Sequence, residues 1–179
     1  MRNAAAEGFP LDPPRLLALL ERIGVAAATY GHEAVRTVAE AKAATAHVPA
    51  SHCKNLFLRD KAGQRWLVVL PEERLLDLGV LADLLDVRRL SFASPAELEE
   101  RLGVLPGAVT PFAVVNDPGK RVRVVLDRAL LARPALKFHP LVNTATTVVS
   151  PEGLLRFLEE SGHPPTLVDL GSSGNAAAR

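Results

Sequence analysis

The chain has 179 residues, 48% of them hydrophobic and 23% charged, the usage of a single folded globular domain. Twenty-one Lys and Arg against twenty Asp and Glu leave a formal net charge of +1, which excludes a protein that grips nucleic acid through a broad cationic surface. Recognition of a nucleic-acid end by a few placed groups stays open. The single cysteine, Cys53, excludes an internal disulfide and a multi-cysteine zinc site.

No apolar run approaches the roughly 18 residues of a membrane span. The first residues, Met1-Arg2-Asn3-Ala4-Ala5-Ala6-Glu7-Gly8, have no sustained apolar core and meet an acid early, unlike a signal peptide. A reducing, cytoplasmic setting is the expectation. Residues 1–12, which carry small residues and Pro10, and residues 171–179, which offer nothing large to bury, are expected to be flexible ends around one domain, 13–170.

In chain order, a helix is predicted over 13–23, capped by Asp12, with Leu16, Leu17, Leu19, Leu20 and Ile23 on its apolar face and Gly24 as its stop. A short strand follows over 27–30. The alanine-rich stretch 38–46 reads as a helix with Thr37 as cap. Two strand-like runs, 55–59 and 65–70, flank the polar turn Asp60-Lys61-Ala62-Gly63-Gln64 and predict a hairpin. A helix over 77–85 and a strand over 89–93 come next.

Ser94-Pro95-Ala96-Glu97 starts a helix with a cap, a proline in the first turn and a capping-box acid, and Gly103 ends it. The loop 103–111 carries two glycines and two prolines. Residues 112–116 and 121–126 predict a second hairpin around Asp117-Pro118-Gly119-Lys120. Strands are expected near 136–138, 144–149 and 167–168, with a last helix opened by Ser150-Pro151-Glu152-Gly153. Strands come mostly as hairpins with helices between them, so the fold class is α+β with a mixed, largely antiparallel sheet.

Few residues offer chemistry. The five histidines include His47 and His52, the latter beside Cys53, but zinc takes at least three protein ligands and no second cluster completes a set; no metal is expected. Cys53 beside Lys54 invites a thiolate nucleophile; without a partnered His or acid in the sequence, the preferred reading is a small half-buried hydrophobe. The fingerprints of lipase-like, P-loop and dinucleotide-binding proteins are missing.

Lys54, at the start of an apolar strand and followed by Asn55, reads on pattern as a solvated strand end; the functional alternative is an anchor for a phosphate or carboxyl group. The stiff loop 103–111 is either a plain connection or a rigid set of backbone N–H groups able to stabilise an oxyanion. Phe138-His139-Pro140, with Asn143-Thr144 nearby, holds a histidine of restricted motion that either orients a substrate or satisfies a local hydrogen bond.

Four stretches carry a resemblance: His52-Cys53-Lys54-Asn55-Leu56-Phe57-Leu58-Arg59-Asp60; Arg89-Leu90-Ser91-Phe92-Ala93-Ser94; Gly103-Val104-Leu105-Pro106-Gly107-Ala108-Val109-Thr110-Pro111-Phe112; and Phe138-His139-Pro140-Leu141-Val142-Asn143-Thr144-Ala145-Thr146-Thr147. With them the sequence resembles the YbaK/ProX superfamily of aminoacyl-tRNA deacylases, and within it the free-standing prolyl-tRNA editing branch, over about 13–169.

The resemblance implies a mixed sheet curled into a partial barrel, with helices around it. It implies trans-editing: hydrolysis of the ester of alanine mischarged onto proline tRNA, with water attack assisted by the substrate ribose hydroxyl and by backbone oxyanion stabilisation, and no cofactor. Lys54 matches the family's lysine that contacts the terminal phosphate, and Asn55 the asparagine beside it. Gly107-Ala108-Val109-Thr110-Pro111 matches its Gly-x-x-x-Pro loop. His139 matches a pocket histidine, with Phe138 as a wall and Asn143 and Thr144 among the substrate-binding neighbours. The implied partners are the 3′ end of mischarged tRNA(Pro) and a delivering prolyl-tRNA synthetase or elongation factor. Deacylation of cysteinyl-tRNA(Pro) and a non-catalytic module binding a tRNA end are the competing expectations.

Overall fold

A computed structural model describes residues 11–35 and 37–171; most of the two expected flexible ends lies outside these residues. Leu11 and Asp12 are tied down: the Leu11 amide donates to Asn116 Oδ1 and Asp12 caps the first helix.

Among the described residues, five α-helices form where local chemistry favours them. Helix α1 (Pro13–Arg22) starts at Asp12, whose carboxylate accepts from the Arg15 amide, and buries Leu16 and Leu20. Helix α2 (Val38–Ala44) has a complete capping box between Thr37 and Glu40. Helix α3 (Leu78–Leu84) is capped by Asp77. Helix α4 (Pro95–Leu102) has a second capping box, Ser94 with Glu97, and ends at Gly103 in the left-handed region. Helix α5 (Pro151–Glu160) starts on Ser150 and buries Leu154, Phe157 and Leu158.

Eight strands accompany them among the described residues: β1 (Ala27–Gly31), β2 (Ser51–Arg59), β3 (Arg65–Pro71), β4 (Ser91–Phe92), β5 (Val122–Asp127), β6 (Leu136–Phe138), β7 (Ala145–Val149) and β8 (Thr166–Val168). They run in the order β1-β7-β6-β2-β3-β5-β8, with β4 on β2, and the sheet does not close into a barrel. Four pairings are antiparallel and three are parallel. The class is α+β with a mixed sheet, as expected.

Alternation along the central hairpin separates two cores. Phe57, Leu67 and Val69 pack with α1, α4 and α5 on one face; Leu58, Trp66, Val68 and Leu70 pack with α3 on the other. The hairpin turn is held by Asp60, which accepts from the Gln64 amide and the Trp66 indole.

Two expectations are corrected. Residues 112–116 are not a strand: Pro111–Asn116 is a 3-10 helix whose Phe112, Ala113 and Val114 are fully buried. A short continuous apolar run fits a buried strand or a buried turn equally, and Thr110 as cap with Pro111 in the first turn selects the latter. Strand β5 therefore has no hairpin partner and pairs in parallel with β3 and β8. Strand β2 also begins at Ser51, so Lys54 lies inside it, opposite Leu70, rather than at its start.

The edge of β2 opposite β3 is only partly covered. Strand β6 pairs with it at Ser51 and His52, and β4 at Leu58 and Arg59. Between them, among the described residues, the stretch 53–56 has no strand partner on that edge, while the Phe57 carbonyl accepts from the Ala93 amide at 3.0 Å.

Candidate functional site

Along this uncovered stretch lies a cavity of about 270 Å³. Strand β2 contributes His52, Cys53, Lys54, Asn55 and Leu56; the loop after α4 contributes Gly107 and Val109; the end of β6 contributes Lys137, Phe138 and His139. Val35, Thr37, Ala41 and Thr45 cover it from the α2 side. The pairing of Ser51 with Leu136 and of His52 with Lys137 brings β6 alongside β2, 85 positions apart in the chain by register (136 minus 51).

Lys54 donates from Nζ to the Arg74 carbonyl at 2.7 Å, and among the described residues it has no carboxylate partner. Asn55 donates from Nδ2 to the Val109 carbonyl at 3.1 Å. Its Oδ1 is buried with no hydrogen-bond partner among the described residues.

The loop is stiff by construction. Gly107 has φ +89°, in the region that favours glycine, and a Cβ there would meet nothing within 4 Å. The Ala108 amide is spent on the Leu105 carbonyl at 3.0 Å, whereas the amides of Gly107, Val109 and Thr110 have no protein partner among the described residues. Pro111 is buried outside the cavity wall, where it starts the 3-10 helix that fixes the loop's far end.

His139 Nδ1 lies 2.9 Å from the Ala145 carbonyl. A carbonyl only accepts, so Nδ1 carries the proton and the neutral ring presents Nε2 as an acceptor. Burial holds the His139 pKa below its ordinary value of 6.5, against the pull of the Ala145 carbonyl, and His32 lowers it further. The His32 ring sits 6.1 Å from that of His139. Phe138, 2% exposed, meets Phe112 edge-on with centroids 5.7 Å apart.

Asn143 and Thr144 do not line the cavity. Asn143 donates from Nδ2 to the Val35 carbonyl at 2.9 Å and accepts from the Val35 amide at its own carbonyl, so it holds one wall residue in place. The Thr144 carbonyl takes the His32 amide.

Lys137, His52, Thr45 and Glu72 are wall residues that the sequence did not single out as site residues. Lys137 is 7% exposed and donates to the carbonyls of Thr45 at 3.0 Å and Val48 at 3.4 Å. Burial lowers its pKa. The available signal was a lysine in the middle of the short apolar strand Leu136-Lys137-Phe138. His52 is also held below its ordinary pKa, first by burial and then by Lys137. Burial pushes the Cys53 thiol up to about 12, so it stays protonated. Among the described residues no three His, Cys, Asp or Glu side chains group as a metal site.

The chain is 35% identical over 156 residues to prolyl-tRNA editing protein ProX of Acetoanaerobium sticklandii, covering 87% of this chain and 95% of that protein. It is 37% identical over 153 residues to prolyl-tRNA synthetase associated domain-containing protein 1 of Danio rerio, covering 84% and 83%. A solved crystal structure of a candidate trans-editing enzyme for prolyl tRNA synthetase superposes with a TM-score of 0.69 at 25% identity, covering 89% of this chain and 98% of that one. Residues 32–157, which contain the whole cavity wall, match the family described as aminoacyl-tRNA editing domain, and the chain belongs to that family.

Proposed function

We propose that the protein is a trans-editing deacylase that hydrolyses the ester of alanine mischarged onto tRNA(Pro). What supports this reading is the convergence of Lys54, Asn55, Gly107, Phe138 and His139 on one small cavity of about 270 Å³.

An aminoacyl ester is already activated, so placement and charge stabilisation do most of the work. In this reading Lys54 takes the 3′-terminal phosphate, and the unpartnered amides of Gly107 and Val109 polarise the ester carbonyl as it becomes an oxyanion. The substrate's own ribose hydroxyl assists the attacking water, and the acyl–oxygen bond breaks to release the amino acid and tRNA. The free Oδ1 of Asn55 accepts a hydrogen bond from the water or the α-ammonium group. Phe138 and His139 bound the side-chain space, which admits a methyl group and rejects the proline ring. A second, smaller sieve is useful because a synthetase gains only about 1–3 kcal/mol per methylene against a smaller competitor. With a net charge of +1, the chain grips little beyond the tRNA end, so a synthetase or elongation factor in the cytoplasm delivers the rest.

The test is deacylation of alanyl-, cysteinyl- and prolyl-tRNA(Pro) side by side, with Lys54→Ala as control. Rapid loss of alanine alone, with most but not all of that activity gone in the folded variant, is the expected result. Preference for cysteinyl-tRNA would assign another specificity, and binding without release of an amino acid would remove catalysis.

A further inference from the structure

Three consecutive residues after β3 are each paired with a different part of the fold. Glu72 pairs with Lys42 of α2 at 2.9 Å. Glu73 pairs with Arg133, ahead of β6. Arg74 pairs through Nε with Oδ2 of Asp127, the last residue of β5. The Arg74 carbonyl is the group on which the Lys54 ammonium rests.

We propose that Asp127 and Arg74 are positioning residues for Lys54. Asp127 has 0% exposure; its Oδ1 accepts from the Ala129 amide at 3.0 Å, and its backbone is in register with Val168 of β8. It is therefore a fixed point in the sheet. The guanidinium of Arg74, 12% exposed at the side chain, meets that point as a charge contact without hydrogen-bond geometry, and the Arg74 amide donates to the Pro71 carbonyl at 3.0 Å; the two together orient the Arg74 carbonyl. A lysine held directly by a carboxylate would be neutralised and its ligand would compete with that carboxylate. A lysine held by a carbonyl keeps its full charge and two of its three donors. The carboxylate is moved one residue away from the ligand and acts through the backbone. A buried ion pair of this kind is weak evidence for stability, because desolvation offsets the attraction; placing a carbonyl is a role that its geometry does serve.

The inference rests on the proposed role of Lys54, and the experiment separates the two. Asp127→Asn keeps the bond to Ala129. The double variant Arg74→Met/Asp127→Asn leaves no buried charge unpaired and covers the case in which the single variant fails to fold. Both are measured for kcat/KM on alanyl-tRNA(Pro), with Lys54 present and with Lys54→Ala. In parallel, the ammonium of Lys54 is observed by ¹H–¹⁵N NMR and assigned by its loss in Lys54→Arg.

The expected result is a drop in kcat/KM of roughly 10- to 100-fold with Lys54 present and no further drop in the Lys54→Ala background. The Lys54 ammonium signal is ordered in the wild type and lost in both variants. Losses that multiply in the Lys54→Ala background, or an unchanged Lys54 signal in the folded variants, would overturn the proposal. If the wild type hydrolyses no aminoacyl-tRNA, the functional reading falls, and the NMR comparison alone decides whether Asp127 and Arg74 hold Lys54.

Discussion

The side-chain amide of Asn55 donates to the main-chain carbonyl of Val109 at 3.1 Å, joining the uncovered edge of β2 to the glycine–proline loop. This bond ties two of the cavity's walls together, because each partner lines a different one. It also orients the Asn55 side chain: with Nδ2 facing a carbonyl, Oδ1 must face the other way, and it is buried there with no hydrogen-bond partner among the described residues.

Replacing Asn55 by Ala removes one hydrogen bond and one unsatisfied acceptor together. Stability should fall by only about 1 kcal/mol, read as a shift of the urea midpoint. Deacylation should fall by more than that loss explains, on the order of 10-fold or greater. A fully active Asn55→Ala protein would take Asn55 out of the site.

Gly107 tests the loop in a different way. Its φ of +89° is strained for any L residue, yet an added Cβ would meet nothing within 4 Å. Gly107→Ala therefore costs backbone energy and no packing, roughly 1–2 kcal/mol. If the neighbouring amides bind the developing oxyanion, the loss appears mainly in kcat, by about 10- to 100-fold, with KM little changed. A rise in KM alone would make the loop a binding element.

The two cavity histidines make stability depend on pH in a defined direction. Burial is the main cause that lowers the pKa of both His139 and His52 from 6.5. Below 6.5 the unfolded chain takes up protons that the native rings still refuse, so the unfolded state binds more protons. Their contribution is fully present above about pH 6.5 and is lost as the pH falls through the lowered native values. Urea denaturation at a series of pH values should show this decline, and His139→Gln should make it shallower. An unchanged slope in that variant would contradict the buried, neutral His139.

Cys53 should be inert. With its thiol pushed up to about 12, almost no thiolate exists at neutral pH. Labelling by a thiol-specific disulfide reagent should be slower on the order of 100-fold or more in the native protein than in denaturant. Cys53→Ala should keep deacylation. A folded but inactive Cys53→Ala protein would favour thiol chemistry.

Caps and turns are local, and for that reason they were legible without a structure. Ser94 and Glu97 face each other because they are three residues apart on any helix that starts there. The β2–β3 hairpin follows from two apolar runs joined by a turn whose Asp60 can hold it closed. The reading of 112–116 as a strand failed because four apolar residues in a row have no period, and burial within the core made them a 3-10 turn instead.

The residues of the cavity were legible in part. Lys54, Asn55, Gly107, Phe138 and His139 line it, while Pro111, Asn143 and Thr144 brace the segments that do. Lys137 was missed because a lysine within a strand ordinarily points to water; here parallel pairing sets it beside His52 and turns its ammonium onto two carbonyls near α2.

The amino-acid order by itself determined where helices begin, where turns close and which residues carry charge or a ring, since those depend on neighbours a few positions away. Which strands lie side by side was settled only by the packing of the whole chain. The meeting of Ser51 with Leu136 and of Arg65 with Val122 depends on apolar faces being buried from distant segments at once. The cavity exists because β6 and β4 each cover one end of β2 and leave its middle bare, and no short stretch of sequence encodes a gap between two other strands.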